Sequence, residues 1–141
     1  MMRARFSIML LTSAFMVVQM GRPQTVRKPR VVPLCTIVDN PSKFAGLLVT
    51  LVSQYESDGI ERAVLVDSSC AGRGIAITAP ARFAGKDQLE DALHVGLPGT
   101  MDKVISGTFT GRFAWYPGKN PSRVLAIREV YGVSSHKRLS Q

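Results

Sequence analysis

The chemistry open to this chain of 141 residues rests on few groups: Cys35 and Cys70, His94 and His136, and ten acidic side chains. Glu90 and Asp91 are adjacent, and neighbours on a helix point in different directions. Glu56, Asp58 and Glu61 crowd one short stretch that could hold a cation. Their spacing does not match a calcium loop of EF-hand type, whose ligands alternate over about twelve residues, so a solvated acidic turn is the better reading. The patterns GxxxxGK[ST], HExxH, CxxC and GxSxG do not occur. Gly72-Arg73-Gly74 is a GxG fragment and reads as a turn. A zinc site from Cys35, Cys70 and His94 would compete with a disulfide for the same sulfurs, and neither a metal nor a cofactor is expected. A hydrolase is the less favoured alternative. It would need a site formed only in three dimensions, for instance Asp67 with Ser69 and His94. The chain is therefore expected not to be an enzyme.

The remaining chemistry is binding. Arg112, Tyr116, Lys119, Asn120 and Arg123 fall close together around the turn-rich stretch 117–122. Aromatic rings beside basic side chains suit single-stranded nucleic acid, one for stacking and one for phosphate. Phe109, Phe113 and Trp115 share an apolar face and read as core, which leaves Tyr116 as the candidate stacking ring. The chain carries 18 Lys+Arg against 10 Asp+Glu, a formal net charge of +8. Such an excess favours association with anionic partners in general and names none.

Residues 1–21 set the compartment. Arg3 and Arg5 precede an apolar run of 13 residues, Ile8 to Met20. A membrane span needs about 20, and a basic start with a short apolar run is the pattern of a secretory signal peptide. Cleavage is expected near Gly21, although no A-x-A triplet precedes Arg22; the alternative is an uncleaved segment tethering the domain to the membrane. Residues 22–32, with Arg27, Lys28 and Arg30, read as a basic flexible linker. Export places Cys35 and Cys70 where paired thiols form disulfides. The rival reading is a reactive thiol. It wants a neighbouring His or Lys, and the local sequence supplies none.

With 45% apolar and 20% charged residues, the composition excludes wholesale disorder and a multi-span membrane protein. The length allows one domain, expected over 33–133, with a frayed polar tail over 134–141. Asp39-Asn40-Pro41 favours a short helical segment within 36–44. Strands are expected at 47–55, 62–67 and 74–79, with a turn at Asp58-Gly59. Leu89, Ala92 and Leu93 recur at helical spacing within 85–96. The stretch 102–116 alternates Ile105, Phe109, Phe113 and Trp115 with polar residues, and puts Gly107 and Gly111 on the apolar face. Glycines there suit a strand that coils round a small barrel. A last strand follows at 123–133. Three strands, one helix and two strands give a mainly β domain in the order of a five-stranded OB-fold-like barrel (β-β-β-α-β-β). A different small α+β single-sheet domain uses the same elements.

VPLCTIVDNPSKFAGLLVTL, LVDSSC, VISGTFTGRF and LAIREV together resemble small exported bacterial proteins with an OB-fold-like domain, over roughly residues 33–131. Their function is largely uncharacterised, and the resemblance carries over no catalytic residue. The expectation is an exported, non-catalytic binding or accessory module of the cell envelope. Its partner would be an envelope protein, a glycan or an anionic polymer, with nucleic acid not favoured and membrane contact only through an uncleaved leader.

Overall fold

The computed structural model of the chain describes residues 29–139. The leader expected over 1–21, and residues 22–28 of the basic linker, lie outside the described residues. A two-residue strand, β1 (Arg30–Val31), is followed by two short helices, α1 (Leu34–Asp39) and α2 (Pro41–Phe44). Then come β2 (Leu48–Ser57), β3 (Ala63–Val66), a 3-10 turn at Ser68–Cys70 and β4 (Ile75–Thr78). Helix α3 (Lys86–His94) precedes two long strands, β5 (Lys103–Trp115) and β6 (Arg123–Lys137).

The strands run in the order β2-β3-β4-β6-β5, and β5 pairs back onto β2, so the sheet closes on itself. All pairings round the barrel are antiparallel except β4 with β6. Closure with the helix between the third and fourth barrel strands is the expected OB-like architecture. Period-two alternation produces it. Leu51, Leu65, Ile75, Ile105, Phe109, Phe113 and Leu125 are all fully buried, and each strand gives its alternate positions to that core. Gly111 also faces inward. A Cβ there would collide with the backbone carbonyl of Ala126, and the β5–β6 register shifts at this point and again between Ser106 and Thr108. Two irregularities in one ribbon supply the extra twist that a narrow barrel needs.

Three boundaries differ from expectation. The helical segment expected within 36–44 begins earlier, at Leu34, and splits at Asn40. Pro41 disfavours helical geometry in the residue before it, and Asn40 has φ −133°. The linker expected to run to residue 32 ends sooner, because Arg30–Val31 pairs in parallel with Val49–Thr50 of β2. The tail expected from residue 134 is strand as far as Lys137, since Ser134–Lys137 pair with Lys103–Ser106 of β5. Those residues are exposed and polar; backbone pairing holds them, which an apolar pattern cannot reveal.

Cys35 on α1 and Cys70 in the 3-10 turn are at disulfide distance, with Cα atoms 5.4 Å apart. The link fixes α1, whose Leu34, Ile37 and Val38 are buried, to the β3–β4 connection. Arg73 adds an exposed ion pair with Asp39 at 2.7 Å.

Candidate functional site

The most built-up concavity lies where the β2–β3 loop meets the end of α3. Asp58 organises the loop: its carboxylate accepts from the backbone N–H groups of Ile60, Glu61 and Arg62 at 2.9, 3.0 and 2.9 Å. The N–H donors of Arg62 and Ile60, above all, hold the Asp58 carboxyl below its ordinary range. The loop is tied sideways to the stretch after α3. Thr100 N–H donates to the Ser57 carbonyl at 3.1 Å, and the Thr100 hydroxyl accepts from Ser57 N–H at 3.2 Å. Gly59 lies directly against the backbone of Gly99.

Lys103 fixes the other wall. The residue is only 4% exposed, yet its ammonium has partners throughout. It donates to the carbonyls of Leu93 at 2.9 Å and Leu97 at 3.0 Å, and to that of Val95 between them. The Asp102 carboxylate lies 3.8 Å away. A buried ammonium is tolerated when its hydrogens find oxygens, and a cation at a helix C-terminus meets the negative end of the helix dipole.

Between these walls is a cavity of about 450 Å³. Tyr55 reaches it from the barrel interior, where its ring stacks on Phe109 with centroids 6.0 Å apart. Burial raises the Tyr55 pKa, and the Asp58 charge pushes it the same way. Leu93 gives apolar lining, while Glu61, Arg62, Glu90 and His94 give polar lining. A second depression of about 330 Å³ shares Ser57 and Arg62 and adds Met101 and Arg138. The stretches that wall the cavity carry exposed aliphatic side chains: Ile60 at 87%, Met101 at 69%, and Val95 and Leu97 each more than half exposed.

The residues picked from sequence lie elsewhere. β2 runs toward the 58–62 loop, β5 begins there, and β5 ends at the 116–122 turn. The two loops therefore sit at opposite ends of the barrel. Tyr116 is 51% exposed, as expected of a stacking ring, and Lys119 and Asn120 are exposed on the same turn. Arg112 pairs with Ala126, and Arg123 pairs with Trp115. Positions 112 and 115 are an odd number apart on a regular stretch, so Arg112 and Arg123 point to opposite faces of the ribbon. Arg112 is further engaged, donating to the Gly46 carbonyl at 2.6 Å. The five residues share an end of the barrel but not one groove.

Asp67, Ser69 and His94 are also divided. The Asp67 carboxylate accepts from Ser69 N–H at 2.8 Å and caps the 3-10 turn. That bond, with the Ser69 hydroxyl, lowers the Asp67 pKa. His94 lines the large cavity and Asp67 a different, smaller depression. Cys35, Asp67 and Cys70 could between them offer three metal ligands, but the two sulfurs are paired with each other. The reading of sequence missed Lys103 and the 95–101 stretch. VGLPGTM reads only as a helix stop, and the partners of Lys103 become its partners only after α3 has packed on the barrel. No family profile, no curated protein and no solved structure matches the chain, so its function has to be argued from this geometry alone.

Proposed function

We propose that this chain is an exported, non-catalytic accessory module that docks a protein partner of the cell envelope through the end of the barrel formed by the β2–β3 loop and α3. The observation that carries the reading is the set of aliphatic side chains (Ile60, Val95, Leu97 and Met101) exposed on two hydrogen-bonded stretches, with Ile60 lining the cavity and Met101 the neighbouring depression. Exposed aliphatic groups gathered around a concavity are the mark of a protein contact. A glycan would ask for a presented Trp, Tyr or Phe face, and the phenol ring that lines the cavity, Tyr55, is packed on Phe109. The Cys35–Cys70 pair supports export, because such pairs persist in oxidising compartments.

The test is site-specific photocrosslinking in the host's envelope fraction, with the reactive group at position 60, 101 or 131. Positions 60 and 101 are expected to give one discrete adduct of the same partner, and exposed Tyr131 on β6 none. Leu97→Asp should cut the adduct at least tenfold while thermal unfolding stays unchanged. Adducts that are absent, or equal at all three positions, would remove the reading.

A further inference from the structure

The end of the barrel opposite the cavity has its own character. Five basic residues lie there on separate elements. Arg30 pairs with Val49 at the start of β2. Lys43 is on α2, just before the Gly46 N–H bond to the Phe113 carbonyl. Arg112 and Arg123 close the β5–β6 ribbon, and Lys119 is on its turn. Of the carboxylates toward this end, Asp39 is held by Arg73, and exposed Glu129 lies opposite Thr110 on β6, so the basic side chains outnumber the acidic ones there. Glu56, Asp58 and Glu61, by contrast, fall at the end of β2 and on the loop beyond it, and Glu90 and Asp91 on α3. Beside the basic residues stand three exposed apolar side chains, Val31, Leu47 and Tyr116, each at least half exposed.

The N-terminal part of the chain joins the fold at this same end. Residues 1–28 precede Arg30, and their sequence adds Arg22, Arg27 and Lys28 directly before it, behind the apolar run Ile8–Met20. We infer that the end carrying Arg30, Lys43, Lys119 and Arg123 faces an anionic lipid bilayer and holds the cavity end pointing away from it. Geometry selects a bilayer over a strand. A nucleic-acid strand lies along one face, and Arg112 and Arg123 are on opposite faces. A planar surface met end-on needs only that the charges share an end. Each basic group close to an anionic leaflet strengthens binding about fivefold, and the attraction fades within a Debye length. Apolar and aromatic side chains among them suit the headgroup region. The orientation is independent of what the cavity binds.

The experiment partitions the full chain between buffer and vesicles, either phosphatidylcholine alone or phosphatidylcholine with phosphatidylglycerol. The ratio of the two affinities removes whatever residues 1–28 contribute to both vesicle types by apolar insertion. The unsubstituted chain should prefer anionic vesicles, less so at high salt. Replacing Lys43, Lys119 and Arg123 with Glu should lower the ratio by at least about a hundredfold, since losing the three positive charges alone accounts for that much. Replacing Arg62, Lys137 and Arg138 with Glu changes net charge equally at the other end and should leave the ratio within about threefold. The corresponding Gln triple, with its circular dichroism and unfolding midpoint, separates lost charge from lost folding. An equal effect of both Glu triples, or no preference for anionic vesicles, overturns the inference. So does tighter binding to a single-stranded oligonucleotide than to anionic vesicles, which would return the basic end to a nucleic-acid role.

Discussion

Lys103 shows how one side chain can hold a site without touching a ligand. It sits on the inward face of β5, among residues that are otherwise apolar or glycine, and its three carbonyl partners belong to the end of α3 and the residues after it. Removing the ammonium leaves those oxygens in a place water reaches poorly. Each orphaned acceptor of this kind costs about 1–3 kcal/mol, shared among groups that partly relax. Lys103→Met, which keeps the stem, is expected to cost about 2–3 kcal/mol in urea denaturation. It should also speed amide exchange in 95–100 before the rest of the barrel. A loss under about 0.5 kcal/mol would mean that other donors replace it. Sequence could not signal this role. A lysine opening a strand after an aspartate looks like a solvated strand end, and its burial is set by an element closed over it.

At the scale of elements, the strands were legible because burial in a barrel imposes strict alternation. Ile105, Phe109 and Phe113 announced β5, and Leu89, Ala92 and Leu93 announced α3, each within a few residues of the observed bounds. The candidate binding residues fared differently. Nearness in sequence around 117–122 does not fix a shared face, and the pairing register is what puts Arg112 and Arg123 on opposite faces of the ribbon. The way α3 reaches the barrel was equally hidden. Gly85 has φ +79°, and a Cβ on it would run into the Val130 carbonyl. Ala84 accepts there from Val130 N–H at 2.8 Å, so the chain is drawn onto β6 just before the helix starts. Gly85→Ala should cost about 2–3 kcal/mol, combining an unfavourable φ with a backbone collision. Gly118→Ala has φ +77° with nothing near its Cβ, and should cost only about 1 kcal/mol. Comparing the two unfolding midpoints isolates the close approach; equal losses would mean that φ alone matters.

Among the described residues the molecule divides into a barrel and an N-terminal layer, stapled to each other by one disulfide beside the continuous backbone. Cys35 and Cys70 are 35 positions apart, and a loop of that size is worth roughly 3–4 kcal/mol in the chain-entropy picture. The double substitution Cys35→Ser and Cys70→Ser should remove about that much, read by urea denaturation at unchanged slope. A loss below about 1 kcal/mol would mean that the buried face of α1 holds the layer in place unaided. The strand order carries a further consequence for how the molecule comes into being. β6, made after the other described strands, is the one that lies between β4 and β5. Until residues from Arg123 onward arrive, β4 and β5 each present an unpaired edge, the kind that recruits strands from other chains. Ring closure then joins contacts distant in sequence, which is slow. A chain cut short before residue 123 would keep both edges permanently, so its fate is aggregation or proteolysis, not a smaller working barrel.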